Sequence, residues 1–427
     1  DTPEEQWNRQ GDFSIDLTRQ FRSGLNLRPH IDLNYNATNY VGKDSYDTEY
    51  GGIGTQPLYT GKIGFDVVLP IARGAGSKSV AAAETAARYD LEASRLAVLH
   101  QQSQSVFSTI QAYWAARAAF DQVDVMRRSV ELQGGLATMT RALIAANEKP
   151  RSDEARVLAS SADARARFES SQRQLAEARI ALARALGVSL ADTLSIPLAA
   201  DPFPRPPEGL QADPQVYAAL VQEAINKRYD RQAALQSEAS GLALAEGARI
   251  DTRQLVNLTA SGWGTSAHQK TPGYDSWVFR SGSLGIEYER PFGNNAARGL
   301  HEQRVAAHNQ ARINTADLER TIGLNVVQYA ESLRVAAERL RAAEEAVRNY
   351  DQTIVNEQAR FKSGDASLLD TILTEQQTTT ARLAYVTAQQ EYATLVAALR
   401  YEAGLLVQDG SVNASNLVAV PAALVRR

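Results

Sequence analysis

Strict alternation of apolar and polar residues marks three stretches within the first 70 residues of the chain. Their apolar members are Phe13, Ile15 and Leu17, then Ile31, Leu33, Tyr35 and Ala37, and finally Ile63, Phe65, Val67 and Leu69. A period of two places apolar side chains on one face of a strand and polar side chains on the other. Strand patterns return within residues 254–266 and 283–288. The apolar face is either the half-buried side of an ordinary sheet or the lipid side of a membrane barrel.

A very long helical pattern follows each set of predicted strands. Residues 78–146 and 294–363 contain no proline, and about 65 residues of helix would extend roughly 100 Å. Such a helix does not fit inside a compact domain, so we predict a coiled coil or a stacked tube. The seam of the second pattern follows heptad spacing through Val326, Ala330, Leu333, Ala337, Leu340, Val347, Tyr350, Ile354 and Phe361. The next helix repeats it through Ala381, Tyr385, Ala388, Tyr392, Leu395 and Leu399.

Residues 360–370 are predicted to turn the second long helix back on itself. Gly364 supplies the left-handed conformation that ends a helix. Ser367 is placed to cap the next helix, and Asp370 then lies in the first turn of that helix. This stretch is therefore the tip of a helical hairpin, called here the second tip.

Residues 147–153 form an equivalent first tip. Gly364 and Asn147 are separated by 217 residues (364 − 147), and the same offset aligns Pro150 with Ser367. The offset also pairs Asp153 with Asp370, Leu182 with Leu399 and Gly187 with Gly404. An offset that holds from the tip to the end of the return helix indicates an internal duplication.

Composition argues against several classes of protein. The net charge is −4 and the pI is about 5.9, so nothing points to nucleic acid. The chain has no cysteine, which excludes a disulfide framework and a thiolate metal site. His301 and His308 lie too far apart on one helix for a metal-binding pair. We expect no cofactor, no metal and no enzymatic activity.

Hydropathy shows no apolar stretch of the roughly 18–20 residues that a membrane helix requires. The first five residues have neither a basic region nor an apolar region, so a signal peptide is expected to be absent or already removed.

Four sequences, taken in order, carry a resemblance to a known family. They are Leu69-Pro70-Ile71-Ala72-Arg73-Gly74, Ala224-x-x-x-Arg228-x-Asp230, Arg290-Pro291-Phe292-Gly293 and Phe361-x-x-Gly364-x-x-Ser367-x-x-Asp370. The first and third resemble the strand-to-helix turns of the TolC family of outer-membrane efflux and secretion channels. The second resembles the helix that opens the second repeat of that family, and the fourth resembles its second tip. The resemblance covers residues 29–405.

The resemblance implies an α+β membrane protein that forms a homotrimer in the outer membrane of a Gram-negative bacterium. Each chain would contribute four strands to a shared twelve-stranded β-barrel, and the helical hairpins would form a coiled-coil tunnel in the periplasm. The trimer would be a passive exit duct for a tripartite efflux pump or a type I secretion system. Its expected partners are a periplasmic adaptor protein, an inner-membrane transporter and outer-membrane lipid, with no nucleic acid.

On this reading the chain divides into six segments. These are the first barrel strands with an unusual N-terminal strand region (1–72), the first long hairpin (73–187), a connector with an equatorial helix (188–250), the second barrel strands (251–292), the second long hairpin (293–404) and an equatorial tail (405–427). In the family a helix pair usually precedes the first strands, whereas residues 1–28 are predicted here to form an additional strand pair.

The tips carry the expected functional residues. By resemblance, the periplasmic gate candidates are Ser152, Asp153, Phe361, Gly364 and Asp370. The candidates for adaptor contact are Asn147, Lys149, Pro150, Arg151, Lys362, Ser363, Asp365 and Ser367.

The gate departs from the family at two positions. A tyrosine and an arginine near the second tip usually close it, and the corresponding positions hold Phe361 and Ala366 here. A three-fold ring of Asp370 is one interpretation of the acidic residues at the tips. The alternative is that Asp153 and Asp370 only stabilise the first turns of their helices.

A periplasmic coiled-coil adaptor or scaffold with a small β-domain is the competing hypothesis for function. Two hairpins and two sets of strands argue against it, because an adaptor usually has one of each. An enzyme is a third and more distant alternative.

Overall fold

The structure is a computed structural model that describes residues 7–38, 57–189, 192, 196–197, 199–210, 213–271, 274–408, 410–412 and 419–425. The strands are β1 (Asn8–Asp16), β2 (Arg19–Gln20), β3 (Asn26–Thr38), β4 (Leu58–Pro70), β5 (Leu255–Thr271) and β6 (Tyr274–Glu289). The helices are α1 (Ser77–Val80), α2 (Ala82–Ala145), α3 (Ser152–Leu186), α4 (Pro214–Lys227), α5 (Tyr229–Asp251), α6 (Asn295–Lys362) and α7 (Leu368–Glu402), with a 3-10 turn at Ala422–Leu424. Among the described helices, none combines the length and the apolar character needed to cross a lipid bilayer.

The chain folds as two units, of which one contains Asp1–Ala93 and Ala234–Asn314 and the other contains Ser94–Ala233 and Thr315–Arg427. The first unit is built on one antiparallel sheet with the strand order β1-β3-β4-β5-β6, in which β2 also pairs with β3. The predicted N-terminal strand region therefore joins the main sheet, with β1 at its edge.

The register of the strands separates the side chains into an apolar face and a polar face. The apolar face contains Phe13, Ile15, Ile31, Leu33, Ile63, Phe65, Leu69, Leu258, Val278, Leu284 and Ile286. The polar face contains Asp12, Asp16, Arg28, Asp32, Lys62, Asp66, Thr259, Ser261, Ser283 and Glu287. Phe13, Ile15 and Ile63 are more than half exposed, as are Leu284 and Ile286. Nothing in the described chain covers the apolar face, so an ordinary sheet that is half-buried within one chain is the wrong interpretation.

The second unit is helical, and its largest core lies where α4, α6 and α7 pack together. Seam residues predicted from the heptad spacing are buried there, namely Val326, Ala330, Leu333, Ala337, Leu340, Ala388, Tyr392 and Leu399. Large and small side chains alternate along this seam, which allows close helix approach. The predicted heptad seam is confirmed at these positions.

One predicted helix is divided in the structure. The single equatorial helix expected within residues 188–250 is two helices in the structure, because α4 ends at Lys227 and α5 begins at Tyr229. Arg228 between them has an extended backbone (φ −68°, ψ 125°). Its buried guanidinium pairs with Asp230, at 2.7 Å, and with Glu402 of α7. The ion pairs satisfy a charge that would be costly to bury alone, and they hold the chain in the non-helical conformation.

Candidate functional site

The first tip is a short turn between α2 and α3. Asn147 has a left-handed backbone with φ 58°, which asparagine tolerates better than most residues. Pro150 precedes α3, and its carbonyl accepts a hydrogen bond from the Asp153 backbone nitrogen at 3.1 Å. Asp153 and Glu154 lie in the first turn of α3, where the helix dipole favours negative charge.

The second tip has the conformation that its sequence predicts. Gly364 has φ 88°, and the helix ends just before it at Lys362. Ser367 caps α7, because its Oγ accepts a hydrogen bond from the Asp370 backbone nitrogen at 3.1 Å. The same hydroxyl donates to the Asp370 carboxylate at 2.6 Å. The carboxylate of Asp370 is thus held within its own tip.

The two tips contact each other through Lys149, Phe361 and Ala366. Lys149 Nζ lies 5.3 Å from the centre of the Phe361 ring and donates a hydrogen bond to the Ala366 carbonyl at 3.4 Å. Phe361 is fully buried in an apolar cluster with Leu136, Ala137, Val157, Ala366, Leu368 and Ile372. The ammonium is therefore held over an aromatic face at the rim of a packed core.

The sequence predicts Lys149 to be an adaptor contact and gives no sign of its contact with the second tip. The structure instead brings Lys149 to Phe361 and Ala366, the two positions that the resemblance aligns with the family's tyrosine and arginine. The cation lies on the first tip, and the ring and the carbonyl lie on the second. The long, flexible side chain of lysine permits a contact with a neighbouring tip, but no rule of sequence spacing predicts that contact.

A buried polar network joins the two hairpins further along the helices. Glu375 of α7 is only 2 % exposed. Its carboxylate accepts hydrogen bonds from Ser129 Oγ at 2.6 Å, Gln133 Nε2 at 2.5 Å and Thr379 Oγ1 at 2.8 Å. Gln133 in turn accepts a hydrogen bond from Ser160 Oγ of α3 at 2.9 Å.

The network supplies the buried Glu375 carboxylate with hydrogen-bond donors, and its residues lie on α2, α3 and α7. The sequence does not predict this network, because nothing in a polar stretch of α7 distinguishes Glu375 from its exposed neighbours. Together, the network and the tip contacts form a junction between the first hairpin and the second. The junction consists of hydrogen bonds and of one contact between a cation and an aromatic ring.

A cluster of ion pairs lies at the other end of α7. Arg228 pairs with Asp230 and Glu402, and its guanidinium lies 5.5 Å from the centre of the Tyr401 ring. Burial would raise the pKa of Asp230, but the hydrogen bonds and charge of Arg228 outweigh it and hold this pKa below its usual value. The motif that contributed to the resemblance therefore anchors the break between α4 and α5 to the end of α7. Within the described residues, no group of three or more histidine, aspartate or glutamate side chains is placed to hold a metal ion.

Comparisons with known proteins identify the fold. No protein-family model and no curated protein sequence matches the chain. Among solved structures, the chain is similar to the outer-membrane channel OprN, with 15 % identity over 94 % of this chain and 81 % of that one and a TM-score of 0.67. It is also similar to the outer-membrane protein VceC from Vibrio cholerae, with 15 % identity, coverage of 93 % and 87 %, and a TM-score of 0.66.

A third similar structure is the Campylobacter jejuni outer-membrane channel CmeC, with 12 % identity, coverage of 93 % and 78 %, and a TM-score of 0.65. The likeness spans both units of the chain and both hairpins. The resemblance that the sequence motifs indicate is thus confirmed for the fold, and the chain has the fold of solved outer-membrane channel proteins.

Proposed function

We propose that this chain is one subunit of a homotrimeric channel in the outer membrane of a Gram-negative bacterium. The channel is a passive exit duct for a tripartite efflux pump or a type I secretion system. The uncovered apolar face of the sheet is the observation that carries the proposal, supported by a fold shared with outer-membrane channels.

The sheet requires a partner of a particular kind. Moving one large apolar side chain fully out of water is worth about 1.5–3 kcal/mol, and the apolar face exposes many of them. The opposite face carries charged and hydroxyl side chains suited to a water-filled lumen. Lipid on one side and water on the other satisfy both faces. Closing the sheets of three copies into one barrel also removes the unpaired strand edges.

The helical hairpins are assigned to the periplasmic tunnel, and their tips to its gate. In this proposal the contact of Lys149 with Phe361 and Ala366 holds the tips together, in place of the latch that the family's tyrosine and arginine supply. Ser152, Asp153, Gly364 and Asp370 remain gate candidates around this contact. The exposed tip residues Asn147, Pro150, Arg151, Lys362, Ser363, Asp365 and Ser367 are available to a helical hairpin of an adaptor protein.

The alternative of a periplasmic adaptor or scaffold lacks support from the sheet, since an apolar face of this extent would remain in water. Extraction and imaging separate the two functions. We expect the native protein to need detergent, to form three-fold particles with a detergent belt, and to conduct ions in planar bilayers. A water-soluble monomer or dimer without a belt would overturn the duct and favour the scaffold.

A further inference from the structure

We infer that β1 is a permanent strand of the barrel wall, so that three copies build a wall of at least fifteen strands instead of twelve. The inference rests on the proposed trimeric duct and concerns the surface through which neighbouring copies meet. Five long strands lie side by side in each chain, and β1 occupies the edge of β3. In a twelve-stranded wall, that edge of β3 would have to receive β6 of the next copy.

The side chains of β1 continue both faces of the sheet. Phe13 lies opposite Leu33 and Ile15 lies opposite Ile31, so their apolar side chains extend the apolar face. Asp12 and Asp16 lie on the other face with the polar residues of β3. A strand that plugged the lumen or left the barrel would have no need of this alternation, whereas a wall strand requires it.

The pairing between β1 and β3 is extensive. Nine consecutive positions are in antiparallel register, from Asn8 opposite Thr38 to Asp16 opposite His30. On the polar face, Asn34 Nδ2 donates a hydrogen bond to Asp12, and Arg28 Nε lies 3.9 Å from the Asp16 carboxylate. Displacing β1 would break this ladder and expose its backbone groups, which a membrane environment does not tolerate.

Strand direction then decides the kind of contact at the seam between copies. Every neighbouring pair in the sheet is antiparallel, so β1, β4 and β6 run in one direction and β3 and β5 run in the other. Among the described residues, no strand pairs with the outer edges of β1 and β6. With β1 in the wall, β6 of one copy faces β1 of the next, and because the two strands run in the same direction a direct contact between them is parallel. A barrel with an odd number of strands occurs in nature.

The consequence for the duct is a wider lumen. Barrel diameter grows roughly linearly with strand number, so fifteen strands give a barrel about 25 % wider than twelve. The outer edge of β1 is thus an interaction surface, and its partner is the outer edge of β6 in a second copy of the chain.

Disulfide cross-linking tests whether β1 stays paired with β3. The sequence contains no cysteine, so any disulfide must form between the introduced residues. Two double variants place cysteines directly opposite each other on β1 and β3: Phe13→Cys with Leu33→Cys, and Ser14→Cys with Asp32→Cys. The two pairs are at consecutive register positions, so one is a hydrogen-bonded pair and the other is a non-hydrogen-bonded pair of the antiparallel ladder. Phe13→Cys with Ile63→Cys is the control, because β3 separates these two residues.

We expect at least one opposite pair to form an intrachain disulfide in the assembled, detergent-extracted trimer with conductance retained, and the control to stay reduced. A disulfide that forms only in unassembled chains, or that blocks assembly, overturns the inference. Counting strands by electron cryomicroscopy is the second measurement, and fifteen or more support it. A three-fold duct with a twelve-stranded wall overturns the inference and leaves the duct intact, whereas the absence of three-fold particles overturns both.

Discussion

Lys149 Nζ in the first tip lies 5.3 Å from the centre of the Phe361 ring in the second tip. The same ammonium donates a hydrogen bond to the carbonyl of Ala366. One side chain of the first hairpin therefore contacts both positions that the sequence resemblance aligns with the tyrosine and the arginine of the TolC-family gate. A cation above an aromatic face contributes about 0.5–1 kcal/mol at an exposed site and about 2 kcal/mol when desolvated. An energy of this size can favour a closed tip without preventing its opening.

Removing the charge of Lys149 should loosen the tips. We expect Lys149→Met to raise the open probability in single-channel recording by about tenfold, which corresponds to a loss of about 1.4 kcal/mol of closed-state stability. Lys362→Met is the matched control, because Lys362 is an exposed lysine of the second tip. An unchanged open probability in Lys149→Met would show that the contact does not hold the gate.

Removing the buried carboxylate of Glu375 should destabilise the junction between the hairpins. Glu375→Ala leaves donors on Ser129, Gln133 and Thr379 without their acceptor, and a buried polar group left unpaired costs about 1–3 kcal/mol. We expect a lower midpoint of thermal unfolding in detergent. The exposed neighbour Gln376 supplies the control, Gln376→Ala. Equal midpoints for the two variants would contradict a stabilising role of the network.

Asp370 tests the acidic ring in the proposed trimer. Acidic rings in a pore favour cations, so Asp370→Asn should lower cation selectivity in bilayer recording while it keeps an acceptor for the hydroxyl of Ser367. Asp365→Asn changes another exposed acid of the same tip and serves as the comparison. If Asp370→Asn leaves the reversal potential unchanged, Asp370 acts only on the first turn of α7.

Gly364 should resist substitution, although its surroundings are open. Among the described residues, no atom beyond its two chain neighbours lies within 4 Å of a Cβ placed on it, but its φ of 88° is unfavourable for any residue with a side chain. We expect Gly364→Ala to cost about 1–2 kcal/mol. Gly135 inside α2 is equally open and has no positive φ, so Gly135→Ala should stabilise by about 0.5–1 kcal/mol. Thermal unfolding of both variants would reveal opposite shifts, and shifts of the same sign would contradict the strain at Gly364.

The ion pair of Asp230 predicts how stability depends on pH. Because the pKa of Asp230 is lower in the folded chain than its ordinary value of 3.8, its contribution is complete above that value and is lost as the pH falls through the folded pKa. Asp230→Asn should therefore lower the unfolding temperature at pH 7, and the difference from the unaltered chain should shrink below about pH 4. Asp213→Asn, which alters an exposed acid at the start of α4, is the control. A difference that stays constant with pH would argue against the ion pair.

Local patterns in the sequence account for much of the fold. The strands β3 and β4 follow from a period of two, the packed helix seam follows from heptad spacing through Val326 and Leu333, and the second tip follows from the glycine at position 364. Each pattern acts through steric or solvation rules that involve only a few residues. The return helix of the first hairpin, α3, runs from the predicted first tip to the residue before Gly187 (Ser152–Leu186). The four motifs also indicated the channel fold, through their resemblance to the TolC family.

Contacts between distant residues account for what the sequence left open. The break at Arg228 depends on Glu402, which lies 174 residues away, and the Glu375 network joins three helices at positions that look unremarkable along the chain. The contact of Lys149 with Phe361 and the pairing of β1 with β3 likewise exist only once the chain has folded. The physical reason is that periodicity records which face of an element avoids water, whereas the partner of a charge or of a strand edge is selected by packing in three dimensions.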